Sequence, residues 1–69
     1  MPGDTIKLNG DPHPLPNEMT VAELLASLAL AGKPVVVELD GRALTPGDHA
    51  TSMVAPGATV EIVTLAAGG

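Results

Sequence analysis

Apolar and polar residues alternate at period two through Thr5-Ile6-Lys7-Leu8-Asn9, which predicts a half-buried strand with Ile6 and Leu8 turned inward. Asn9-Gly10-Asp11 supplies the left-handed turn geometry of a tight hairpin. The return segment, Pro12-His13-Pro14-Leu15-Pro16, carries three prolines that cannot donate to a ladder, so it suits only an edge strand, with Leu15 as the inward anchor. The period then changes. Val21, Leu24, Leu25 and Leu28 fall at i, i+3, i+4 and i+7 and form one stripe, preceded by the capping box Thr20-Val21-Ala22-Glu23. Gly32 and Pro34 stop the pattern, and the spacing predicts a helix from Val21 to Leu30.

Period two returns in the second half of the chain. Val35-Val36-Val37-Glu38-Leu39 is β-branched and apolar on both faces as far as Glu38, the mark of an interior strand. Asp40-Gly41 turns it into a short strand at Arg42-Ala43-Leu44, and the Pro-Gly pair makes Thr45-Pro46-Gly47-Asp48 a loop. His49 to Val54 is too mixed for an assignment, with Met53 and Val54 expected to plug the core beneath the loop. Ala55-Pro56-Gly57-Ala58 is a second turn, and Thr59 to Leu65 forms the final strand. One helix on one face of a mixed sheet of four to five strands buries this pattern economically. If the first and last strands are neighbours, the long connection between them allows parallel pairing. The expectation is therefore an α+β fold of β-grasp (ubiquitin-like) type over residues 1–65, followed by a flexible Gly-Gly tail at 66–69.

Parity along the last strand separates two roles. If Val60 and Ile62 face the helix, Glu61, Val63 and Leu65 face the other way. Val36 is likewise out of phase with Val35, Val37 and Leu39, so Val36, Val63 and Leu65 form a candidate docking patch beside the tail. Ala66-Ala67-Gly68-Gly69 follows directly, a short uncharged arm without bulky side chains. Such an arm can thread a partner's active site and present the Gly69 carboxylate, the candidate reactive group, to chemistry supplied by another protein.

Composition narrows the function classes. At 69 residues the chain is one small domain, and a catalytic cleft in so small a body is not expected. Phe, Tyr and Trp are all absent, so the core is built from aliphatic residues. Eight acidic residues against Lys7, Lys33 and Arg42 give a net charge of −5, with no basic patch for a phosphate backbone and no aromatic platform for bases. Without cysteine there is neither disulfide nor thiolate metal site. No apolar run approaches the roughly 20 residues that span a bilayer, and Met1-Pro2-Gly3-Asp4 lacks signal-peptide character, so a cytoplasmic protein without membrane or nucleic-acid partners is expected. His13 and His49 lie far apart and read as surface or loop residues, and the dispersed carboxylates read as solvated charge, so no metal site is expected.

The capped helix, the run Val35-Val36-Val37-Glu38-Leu39-Asp40-Gly41, the segment His49-Ala50-Thr51, the strand Val60-Glu61-Ile62-Val63 and the terminal Gly68-Gly69 together resemble the ThiS family, ubiquitin-like sulfur carriers of thiamine biosynthesis. The likeness spans nearly the whole chain. It implies that an E1-like adenylating enzyme of ThiF type uses ATP to convert the Gly69 carboxylate to an acyl-adenylate. A sulfur donor such as a cysteine desulfurase system then replaces AMP, leaving a thiocarboxylate whose sulfur a thiazole synthase of ThiG type collects. The protein itself would be a co-substrate with no bound cofactor, not an enzyme. Two stretches depart from the family pattern: Thr45-Pro46-Gly47-Asp48-His49, where relatives often carry an Arg and a large residue, and the neutral turn Pro56-Gly57-Ala58.

Other functions suit the same features. A molybdopterin-synthase small subunit or a tRNA-thiolation carrier would share fold and chemistry, although the former are usually longer and contain aromatic residues. A ubiquitin-like modifier would instead join Gly69 to lysines of other proteins, with Lys7 and Lys33 as possible chain acceptors. A plain binding module with an idle tail is the remaining option.

Overall fold

The computed structural model describes residues 4–65, and Ala66, Ala67, Gly68 and Gly69 lie outside the described residues. Two hairpins come first in the local logic. Strand β1 (Thr5–Leu8) turns through Asn9 and Gly10, at φ 51° and 88°, into β2 (Asp11–Pro14). Strand β4 (Val35–Leu39) turns through Asp40 and Gly41, at φ 50° and 83°, into β5 (Arg42–Leu44). Both pairs of positive φ values make two-residue turns whose twist matches that of the strands, as the Asn-Gly and Asp-Gly dipeptides predict.

The last strand, β7 (Thr59–Thr64), lies between the hairpins and gives a five-stranded sheet in the order β2-β1-β7-β4-β5. It runs parallel to β1, with Leu8 beside Val60, and antiparallel to β4, with Val37 beside Ile62. The proline-rich β2 occupies an edge, where its missing N–H groups cost nothing, and Leu15 just beyond it is buried. This is the β-grasp topology expected from the sequence.

Helix α1 (Val21–Ser27) covers one face through Val21, Leu24 and Leu25, all buried. Its start is fully satisfied: the Glu23 amide donates to Thr20 Oγ1 at 3.1 Å and the Thr20 amide to Glu23 Oε1 at 2.8 Å. The Val21 and Ala22 amides donate to the carbonyls of Ser52 and His49. The helix ends earlier than Leu30. Ala29 takes φ 62°, its amide donates to Ala26 O at 3.1 Å, and the Leu30 amide donates to Leu25 O at 2.8 Å. These two bonds make a Schellman closure, which folds Leu28 and Leu30 back against the core; Ala29, not Gly32, stops the helix.

Three further features depart from the sequence reading. A second, two-stranded sheet pairs β3 (Met19–Thr20) with β6 (Met53–Val54), elements too short to carry a period. Val54 fills the core as expected, but Met53 is 52% exposed, because neighbouring residues of a strand point to opposite sides. Pro46–Asp48 form one turn of 3₁₀ helix within the expected loop, held by Asp48, whose Oδ2 accepts bonds from the Thr45 amide at 3.0 Å and the Thr45 hydroxyl at 2.9 Å.

Candidate partner interface

Alternation along β7 divides its residues cleanly. Val60 and Ile62 are buried under the helix, whereas Val63 and Leu65 are 58% and 50% exposed, and Glu61, between Val60 and Ile62, is exposed on the same side as Val63. On β4, Val37 is buried and Val36 is 41% exposed. The register sets Val36 directly opposite Val63, so the two branched side chains share one position of the helix-free face. The Leu65 amide donates to Pro34 O at 2.9 Å, which keeps the chain bonded to the β4 side up to the last described residue. Val36, Val63 and Leu65 are thus brought together on one face at one end of the central strand, as their parity predicts. The remaining predicted site residues, Ala66, Ala67, Gly68 and Gly69, lie outside the described residues.

On the opposite flank of β7 the strand outlasts its neighbour, since β1 turns away after Leu8. The side chain of Asn9 takes over: its Oδ1 accepts from the Ile62 amide at 2.7 Å and its Nδ2 donates to the Ile62 carbonyl at 3.2 Å. A second link ties the other hairpin to β7, where the Thr59 amide donates to Asp40 Oδ1 and the Asp40 amide donates to Thr59 O. These contacts fix the register that aligns the exposed aliphatics.

Beyond the apolar pair the register sets Glu38 opposite Glu61. This like-charge pair escapes sequence reading, because parity places each residue on a face but only the register sets one across from the other. The two histidines lie away from this face: His13 pairs with Ile6 at the sheet edge, and His49 follows the 3₁₀ turn. His49 sits in a loop as expected, but it is half-buried, and its Nε2 is buried without a hydrogen-bond partner among the described residues. Asp48 has its carboxyl held below the usual range, first by the Thr45 amide, then by the Thr45 hydroxyl. A concavity of about 240 Å³ runs from Leu39 and Arg42 to Asp48 and Ser52, away from Val36 and Val63. Among the described residues no group of three His, Cys, Asp or Glu is arranged to hold a metal, and no helix is long and apolar enough to cross a membrane.

The family model described as the ThiS family matches residues 6–69, more than nine-tenths of the chain. The chain belongs to the ThiS family. It is similar to the crystal structure of a thiamine biosynthesis protein, ThiS, from Geobacter metallireducens, with a TM-score of 0.80 and 31% identity over 94% of this chain and 99% of that one. A solution NMR structure of a thiamine biosynthesis protein from the same organism gives a TM-score of 0.79 and 31% identity, covering 94% of this chain and 87% of that one. No curated protein sequence matches. Family membership and these neighbours support a sulfur-carrier role with the β-grasp fold. The topology places the last strand at the sheet centre, and the segment that precedes the tail is paired along β4.

Proposed function

We propose that this ThiS-family protein carries sulfur on the Gly69 carboxylate for thiazole formation in thiamine biosynthesis. An E1-like adenylating enzyme of ThiF type would attach the carboxylate oxygen to the α-phosphorus of ATP, releasing pyrophosphate. A persulfide carried by a donor such as a cysteine desulfurase system would then attack the acyl carbon and expel AMP, and a thiol would cleave the resulting acyl disulfide, itself becoming the disulfide and leaving a thiocarboxylate for a thiazole synthase of ThiG type. A free carboxylate is a poor electrophile, and adenylation supplies the leaving group it lacks. The folded body contributes recognition: Val36, Val63 and Leu65 dock on the partner while Ala66, Ala67 and Gly68 thread its active site. The observation that carries this reading is the exposed pair Val36–Val63, aligned with Leu65 on the strand that leads into the tail of a ThiS-family chain.

The test is intact-mass spectrometry after incubation with the cognate adenylating enzyme, ATP and hydrosulfide. The full chain gains the mass difference between sulfur and oxygen, and a chain lacking Gly69 gains none while keeping its circular dichroism spectrum. Sulfur uptake by the shortened chain would overturn Gly69 as the acceptor. A product linked to partner lysines in place of the mass gain would favour a protein modifier.

A further inference from the structure

The geometry points to a basic side chain, best a guanidinium, on the adenylating partner, seated between Glu38 and Glu61 as the polar half of the docking contact. The inference rests on the docking role proposed for the face that carries Val36 and Val63. Backbone bonding shows how close the two glutamates are. The bonds from Leu65 to Pro34 and from Asp40 to Thr59 direct the odd-numbered residues of β7 toward β4. Glu38 and Glu61 are therefore a hydrogen-bonded cross-strand pair, with Cα atoms about 5.5 Å apart and side chains on the same face. Like charges set directly opposite each other destabilise a sheet, and neither carboxylate accepts a side-chain hydrogen bond among the described residues.

The pair adjoins the apolar pair Val36–Val63, so a partner seated there removes water from the carboxylates and strengthens any charge contact. Lys7, the cation on the neighbouring strand, stands opposite Thr59, one step away from Glu61. Charge complementarity then selects the occupant. A second copy of this chain, at net charge −5, would bring the same acidic face, and nucleic acid or an anionic lipid would add repulsion. A guanidinium has a planar fork of donors that can bond both carboxylates at once, which a compact ammonium does less well.

The test compares Glu38→Gln with Glu61→Gln, and both together, by calorimetric titration against the cognate adenylating enzyme at low and high salt, with thermal unfolding of each free protein. The expected result is a double variant that binds roughly tenfold more weakly, loses most of the salt dependence of the wild type, and unfolds at the same or a higher temperature. Wild-type affinity and salt dependence in the double variant would overturn the proposal. Leu65→Asp separates the two levels: if it weakens binding while the glutamine variants do not, only the carboxylate contact falls, and if none weakens binding, the docking face itself is misplaced.

Discussion

The carboxamide of Asn9 bonds both backbone groups of Ile62, accepting at 2.7 Å and donating at 3.2 Å. One side chain thus does the pairing of a missing strand residue, because Ile62 directs its N–H and C=O to the side that β1 has left. Replacement by Ala leaves two backbone groups of the central strand unpaired and also places a Cβ residue with no local polar partner at φ 51°. Asn9→Ala is expected to cost about 2–4 kcal/mol in denaturant titration, and Asn9→Gly, which keeps the turn, about 1–3 kcal/mol. Equal and negligible losses would show that water replaces the bonds freely.

Ala29 closes the helix at φ 62°, a conformation that glycine adopts without the clash of a Cβ. Ala29→Gly is expected to stabilise the protein by about 1 kcal/mol, read as a rise of roughly 4–8 °C in the unfolding midpoint. The opposite sign would mean that the added freedom of the unfolded chain outweighs the relief of strain.

Leu65 is half exposed and contributes little to the core. Leu65→Asp is expected to change stability by less than about 0.5 kcal/mol while weakening adenylating-enzyme binding severalfold, as measured by thermal unfolding and calorimetric titration. A proportionate loss of both would assign Leu65 to the core.

The Asp48 carboxylate accepts two bonds from Thr45, and its affinity for protons falls below the ordinary value of 3.8. A depressed native value means that this group favours the fold fully above its unfolded pKa and loses that contribution as the pH drops through the lower native value. Asp48→Asn is expected to be less stable than the wild type at neutral pH, with the difference shrinking as the pH falls below the ordinary carboxylate value of 3.8. Thermal unfolding across that range measures it, and a pH-independent difference would assign the effect to lost packing.

Most of this architecture is written in local patterns. The two Asn-Gly and Asp-Gly turns, the Thr20–Glu23 box and the apolar stripe from Val21 each specify their own geometry, and parity alone places Val63 and Leu65 outward. What escaped depends on tertiary partners. Strands β3 and β6 are two residues each and exist because Met19 finds Val54. The early helix end follows from Leu30 returning to the core, a preference that overrides the penalty at Ala29. Met53 departs from the core for the same reason: its orientation is decided by the strand it pairs with, not by its hydropathy. At the interface, the identity of Val36, Val63 and Leu65 was readable, but the opposition of Glu38 and Glu61 required the register.

The two hairpins are joined in the main sheet only through β7. A nascent chain on the ribosome from which β7 has not yet emerged therefore holds two separate ribbons with a gap where the central strand belongs, and Val60 and Ile62 are missing from its interior. Assembly of the body waits for the residues next to the tail, so a polypeptide terminated before β7 lacks the strand that joins its two ribbons.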